Sequence, residues 1–127
     1  MPGPEVREWI LKAEGDFGTA MREFRARENP NYDAICFHAQ QCAEKYLKGL
    51  IEFLGGPLAR THDLVVLLDV CSDRFPLLAL WRDELELLTQ YAVLFRYPGE
   101  SAEKPDAKAA IKVIKPFREE LRSILRV

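Results

Sequence analysis

The chain holds two histidines, His38 and His62, and histidine is the side chain suited to moving protons near neutral pH. His38, Gln41 and Lys45 follow one another at spacings of three and four, so on a helix they line one edge. Lys48 follows on the polar side of the same segment. Asp63 adjoins His62, and Arg96-Tyr97 immediately precede Pro98-Gly99. An imidazole can take or give a proton, and a guanidinium or ammonium can hold a phosphate oxygen. The set therefore suits the binding, or the cleavage, of a phosphate ester. Plainer roles compete for each residue. A histidine at a helix boundary can satisfy a backbone carbonyl, Arg96 can pair with Glu84 or Asp63, and Tyr97-Pro98 can simply end a helix.

A second candidate is a line of cations near the C-terminus. Lys104, Lys108, Lys112, Lys115, Arg118, Arg122 and Arg126 recur at spacings of three and four. On a helix they share one face and span roughly 33 Å at 1.5 Å per residue, enough to track a phosphate backbone. Residues 101–127 carry 7 basic and 4 acidic side chains, an excess of +3 in a chain whose net charge is −2. A solvated lysine-rich face is the competing reading, because no aromatic residue is interleaved for base stacking.

Turn signals at Asn29-Pro30-Asn31, Gly55-Gly56-Pro57, Phe75-Pro76 and Tyr97-Pro98-Gly99 cut the chain into five pieces. Between them apolar residues recur every three or four positions, which predicts helices throughout. The predicted helices run from about Pro4 to Arg25, Asn31 to Leu54, Thr61 to Ser72, Leu77 to Arg96 and Glu103 to Arg126. Asn29 or Asn31 can cap the second, Thr61 the third and Ser101 the fifth. Gly15 and Gly18 in the first leave room for a close neighbour. The fourth is apolar around most of its circumference, which predicts a central place. Glu84 falls on its apolar side or at the edge of that stripe. Pro116 predicts a kink or break in the fifth. Long helices with short connections predict an all-α, up-down antiparallel four-helix bundle with a short additional helix, over one domain at 1–127.

Composition narrows the classes. A chain of 127 residues with 48% hydrophobic and 30% charged side chains can build a core and excludes disorder. No apolar run approaches the roughly 20 residues of a bilayer span, and no secretion signal is seen, so no membrane contact is expected and a cytoplasmic location follows by default. The odd count of cysteines, Cys36, Cys42 and Cys71, argues against a disulfide framework and for small packed hydrophobes. With two histidines and no C-x-x-C pair, neither a metal site nor a cofactor is called for.

The stretch from Cys36 to Leu50, CFHAQQCAEKYLKGL, resembles the FHAQQAAEKALKAL segment of HEPN (higher eukaryotes and prokaryotes nucleotide-binding) proteins. Arg60-Thr61-His62-Asp63-Leu64 resembles the T-H-D/N-L entry to that family's third helix, and Phe95-Arg96-Tyr97-Pro98 the A-R-Y-P that closes its fourth. Trp9, Ala13, Asp16 and Phe17 fit its first. The resemblance implies a bundle of four or five helices, often a homodimer. It also implies a gene neighbour of minimal nucleotidyltransferase type and a toxin–antitoxin role. Some members are metal-independent ribonucleases, using an Arg followed four to six residues later by a His. Here Arg96 can take the Arg position, but Tyr97 to Ala102 contains no His.

Three functions follow as expectations. The first is a nucleotide- or RNA-binding module that acts with a nucleotidyltransferase-type partner. The resemblance adds His62, Asp63, Arg96 and Tyr97 to the candidates His38, Gln41, Lys45 and Lys48. The second is a ribonuclease with a rearranged site, in which Arg96 holds phosphate and His38 or His62 acts as base. The third is a purely structural partner or dimer module.

Overall fold

Asn31 opens the helix around which the others are arranged. Its side chain accepts a hydrogen bond from the Ala34 N–H at 2.9 Å and so satisfies one of the unpaired donors of the first turn. The computed structural model describes residues 2–127. The α-helices are α1 (Pro4–Phe24), α2 (Tyr32–Phe53), α3 (Leu64–Ser72), α4 (Arg82–Leu94) and α5 (Lys104–Leu125). A 3-10 helix (Pro76–Trp81) lies between α3 and α4. No strand occurs among the described residues. Helices α1, α2, α4 and α5 form the up-down bundle, and α3 is the short additional element.

Helix α2, not α4, is central. It packs against α1, α3, α4 and α5. Ile35, Cys36, Ala39, Cys42, Ala43, Tyr46, Leu47, Leu50 and Ile51 are all buried along it, whereas α4 buries only Leu85, Leu88 and Ala92. The apolar circumference expected to bury the fourth helix is partly spent on the surface. Leu77 and Leu80 are 75% and 78% exposed, and Val93 and Leu94 are exposed too. That predicted helix is also two elements. Pro76 opens the 3-10 turn, and the α-helix begins only at Arg82. Glu84 is exposed, at the edge of the stripe.

Several local expectations are corrected by hydrogen bonding. Helix α3 is capped by Asp63, whose carboxylate accepts from the Val65 N–H at 3.0 Å. Thr61 lies outside it and accepts from the Asp63 N–H. Helix α5 is capped by Glu103, not Ser101. Glu103 and Asp106 form a reciprocal capping box, each side chain accepting from the other's end of the turn. The helix continues without a break through Pro116, which lies on its exposed side. What is lost there is the one hydrogen bond that a non-proline residue would donate to Lys112.

The close approach between helices falls at Gly49, not at Gly15 or Gly18. A Cβ on Gly49 would stand 3.2 Å from Cβ of Trp9, so α1 crosses α2 at van der Waals distance there. Gly15 faces open space. A few residues further on α2 ends, and Gly55, with a φ of 77°, closes a left-handed turn. The Gly56 N–H reaches back to the Ile51 carbonyl at 3.1 Å. The three cysteines are free and buried among the core side chains. Burial pushes the thiols of Cys36 and Cys71 up to about 12, and that of Cys42 higher still.

Candidate functional site

Three carboxylates organise the polar groups of the α1–α2 seam. Asp16 lies in the apolar stripe of α1, three residues after Ala13 and four before Ala20, so it turns into the seam and is 8% exposed. It accepts from Nδ1 of His38 at 2.7 Å and from Nζ of Lys45 at 2.6 Å. A carboxylate only accepts, so the proton of this pair is placed on His38 Nδ1 and the ring's Nε2 is left as the other polar end.

Glu44, 3% exposed, gathers a second set. It accepts from His62 Nδ1 at 2.9 Å, Lys48 Nζ at 3.1 Å, Gln40 Nε2 at 3.2 Å and Gln41 Nε2 at 3.4 Å. Gln40 also donates to the His62 carbonyl at 2.9 Å, which ties the α2–α3 connection to α2. Burial pushes the Glu44 carboxyl up, but the hydrogen bonds from His62, Lys48 and Gln40 and the charge of Lys48 outweigh it. The group lies below the usual carboxylate range.

Glu14 holds the third set. It receives Nε and Nη2 of Arg118, each at 2.7 Å, and the Tyr46 hydroxyl at 2.5 Å. Arg122 Nη1 donates to Tyr46 at 3.2 Å. Burial again raises the Glu14 carboxyl, and Arg118, Tyr46 and Arg122 together lower it further than burial raises it. The Arg118 guanidinium lies over Phe17, 4.4 Å from the ring centre.

These contacts divide the cation line on α5. Lys104, Lys108, Lys112, Lys115 and Arg126 are exposed, whereas Arg118 and Arg122 are drawn toward α1 and α2. The expected seven-membered face is therefore interrupted, because a bidentate carboxylate outcompetes solvent for Arg118.

Arg96 differs from Arg118 and Arg122. It is exposed, and no carboxylate among the described residues forms an ion pair with it, neither Glu84 nor Asp63. Its guanidinium carbon stands 5.9 Å from the Phe37 ring centre. Arg96 and His38 line one cleft of about 310 Å³, between the start of α2 and the end of α4. Phe37, Tyr91 and Phe95 supply its aromatic walls, and Asn31 and Asp33 its remaining polar edge. Tyr91 and Phe95 lie 5.3 Å apart, and His38 meets Phe37 edge-on at 5.2 Å. Asp33 is already engaged by the Ala102 N–H at 2.6 Å.

The sequence candidates thus separate. His38 and Arg96 converge on the cleft. Lys45 does not line it and reaches it only through Asp16. Gln41, Lys48 and His62 belong to the Glu44 network, Asp63 caps α3, and Tyr97 is 62% exposed beyond the end of α4. The two histidines bind different carboxylates. Among the described residues, no group of three or more His, Cys, Asp or Glu side chains is arranged to hold a metal ion.

Glu44, Gln40 and Glu14 were not singled out by sequence. The signal for Glu44 was present. Cys36, Gln40, Ala43, Leu47 and Ile51 recur at three and four along α2, a second buried stripe that Glu44 joins. A helix with two buried stripes is one packed on several sides, and a carboxylate there must be paired.

An antiparallel helical bundle with an α2 motif of this kind defines the class. The family model described as "HEPN domain" matches residues 6–124, and the chain belongs to that family. The crystal structure of TT1696 from Thermus thermophilus is similar to it, with a TM-score of 0.81 and 23% identity over 97% of this chain and 98% of that one. The crystal structure of ST0689, an archaeal HEPN homologue, gives a TM-score of 0.73 and 25% identity over 93% and 95%. No curated protein matches by sequence.

Proposed function

We propose that the protein is a nucleotide- or RNA-binding module whose ligand phosphate sits on Arg96, in the cleft shared with His38. The observation that carries this is a cation without an internal partner, set beside aromatic rings in a concave site. Every other arginine or lysine named at the α1–α2 seam is already held by a carboxylate. A base can stack on Phe37, Tyr91 or Phe95, while Arg96 takes phosphate oxygens and His38 donates or accepts from its second nitrogen. Resemblance of the α2 motif to bacterial HEPN proteins supports a regulatory, toxin–antitoxin-like role beside a minimal nucleotidyltransferase, and a homodimeric state.

Titration with ATP and with a short single-stranded RNA tests the reading. Arg96→Ala is expected to weaken binding by about 10- to 100-fold, the worth of one charge-assisted hydrogen bond of ~1.5–3 kcal/mol. Binding should fall steeply with salt. Wild-type protein that binds neither probe, or binds both as well after Arg96→Ala, would overturn it.

A second reading rests on one specific feature. Asp16 orients His38 in the cleft that holds Arg96, which is the geometry of a base beside a phosphate clamp. Ribonuclease activity by that pair predicts RNA cleavage that His38→Ala abolishes and His62→Ala leaves intact. RNA that stays whole between pH 5 and 8 excludes it.

A further inference from the structure

The opposite end of α2 carries a second concave site, and its chemistry is the reverse of the first. A groove of about 370 Å³ lies between the first turns of α1 and the last turn of α2. Its walls are Glu5, Glu8, Trp9 and Lys12 from α1, Glu52 from α2 and Leu58 from the following connection. Three carboxylates face one ammonium there. The positions of Ala34 in the nucleotide cleft and Glu52 in this groove are 18 residues apart, about 27 Å along the helix at 1.5 Å per residue. The two sites are therefore separate.

Two further observations favour a cation. Trp9 already attracts one, for Nζ of Lys48 stands 5.8 Å from its ring centre. The carbonyl end of α2 points its partial negative charge this way, and its last turn contains no basic residue to offset it. Leu58 is 38% exposed, and Phe53, next to Glu52, is 47% exposed. A small polyamine would neutralise the carboxylates and leave that surface in water. A peptide segment alternating basic and aliphatic side chains would cover both.

We infer that this groove docks a partner protein through a segment carrying arginine or lysine beside aliphatic residues. The basic side chain lies against Trp9 and between Glu8 and Glu52, and the aliphatic side chains rest on Leu58 and Phe53. Attraction between exposed charges sets the encounter, and the apolar contact sets the residence time.

Isothermal titration calorimetry at low ionic strength, with an amidated peptide of alternating arginine and leucine, tests this. The wild-type protein should bind that peptide and not its citrulline-for-arginine counterpart. Replacing both acids (E8Q with E52Q) should weaken binding about fivefold, and Lys12→Glu should tighten it by a similar factor, since each exposed charge pair contributes modestly. A gain of affinity in Lys12→Glu cannot come from a damaged fold. The inference is overturned by absence of binding to the wild type, by equal binding of the citrulline peptide, by affinities indifferent to all three substitutions, or by spermidine binding as tightly as the peptide. ATP binding at the Arg96 cleft is read in parallel. Loss of ATP binding by Arg96→Ala with peptide binding retained separates the two sites.

Discussion

Glu44→Gln is the substitution that best isolates the polar interior. The side chain keeps its size, so no cavity opens, but the charge that gathers Lys48 and His62 is removed. One of the two acceptor oxygens also becomes a donor, which must face either the Lys48 ammonium at the Oε2 position or the Gln40, Gln41 and His62 donors at the Oε1 position. Breaking a buried charge pair typically costs ~3–5 kcal/mol. Here one of the two stranded partners can reach water, because the His62 side chain is 76% exposed, whereas that of Lys48 is 13% exposed and stays mostly buried. The expected loss is therefore nearer to ~2 kcal/mol at pH 7. For 127 residues that is a fall of about 7 °C in melting temperature. The pH dependence has a definite sign. The folded carboxyl is held below its unfolded value, so its contribution is present above the unfolded pKa and is lost as pH falls through the folded one. Urea unfolding of both proteins between pH 7 and pH 3 measures the gap. It should be widest near neutrality and close in acid. A gap below about 0.5 kcal/mol at pH 7, within the range of ordinary surface substitutions, would refute the pairing. So would a gap that stays constant into acid.

Gly49→Ala should destabilise by about 1 kcal/mol despite the better helix propensity of alanine, because Cβ of Trp9 cannot retreat without moving α1. Thermal melting checks it, and a raised melting temperature would contradict the close crossing. None of the three thiols should react rapidly with Ellman's reagent in native protein, and all three should in urea. Lys108→Glu with Lys112→Glu should weaken oligonucleotide binding, and lower its salt slope by about 0.7 per lysine if those side chains touch single-strand phosphates. ATP affinity at the cleft should stay as it was.

The helices were legible in the sequence because each buries a stripe at helical spacing, and the turn residues mark where each stripe stops. What misled was a count of apolar residues taken as a measure of centrality. The segment from Leu77 to Arg96 is rich in leucine, yet Pro76 starts it as a 3-10 turn that leaves Leu77 and Leu80 in water. Helix α2 looks more polar, with Gln40, Glu44, Lys45 and Lys48, and is nonetheless the hub. Its polar residues reach the interior already paired, a property that periodicity cannot display. His38 and Arg96, 58 positions apart in sequence, were both candidates, and only their shared cleft relates them. The partners of the α5 arginines lay in α1, about a hundred residues away, which is why Arg118 and Arg122 looked equivalent to the lysines beside them.

That pairing decides which charges face outward. Glu14, Asp16 and Glu44 each spend a carboxylate on donors within the bundle: Arg118 and Arg122 from α5, His38 and Lys45 from α2, and Lys48 of α2 with His62 of the α2–α3 connection. An ion pair held this way fixes side-chain geometry and is poorly available to an external anion, since releasing it would strand a buried acid. Arg96 incurs no such cost, and neither do the exposed lysines of α5. Of the 18 arginines and lysines, 13 stand outside any ion pair among the described residues, and Arg96 is the one of these that lines the cleft with His38. The acids around Trp9 are unspent in the same sense, with Glu5 and Glu8 outside any internal ion pair. The bundle's interior pairing thus leaves Arg96 at one end of α2, and Glu5 and Glu8 at the other, outside the ion pairs that hold the helices together.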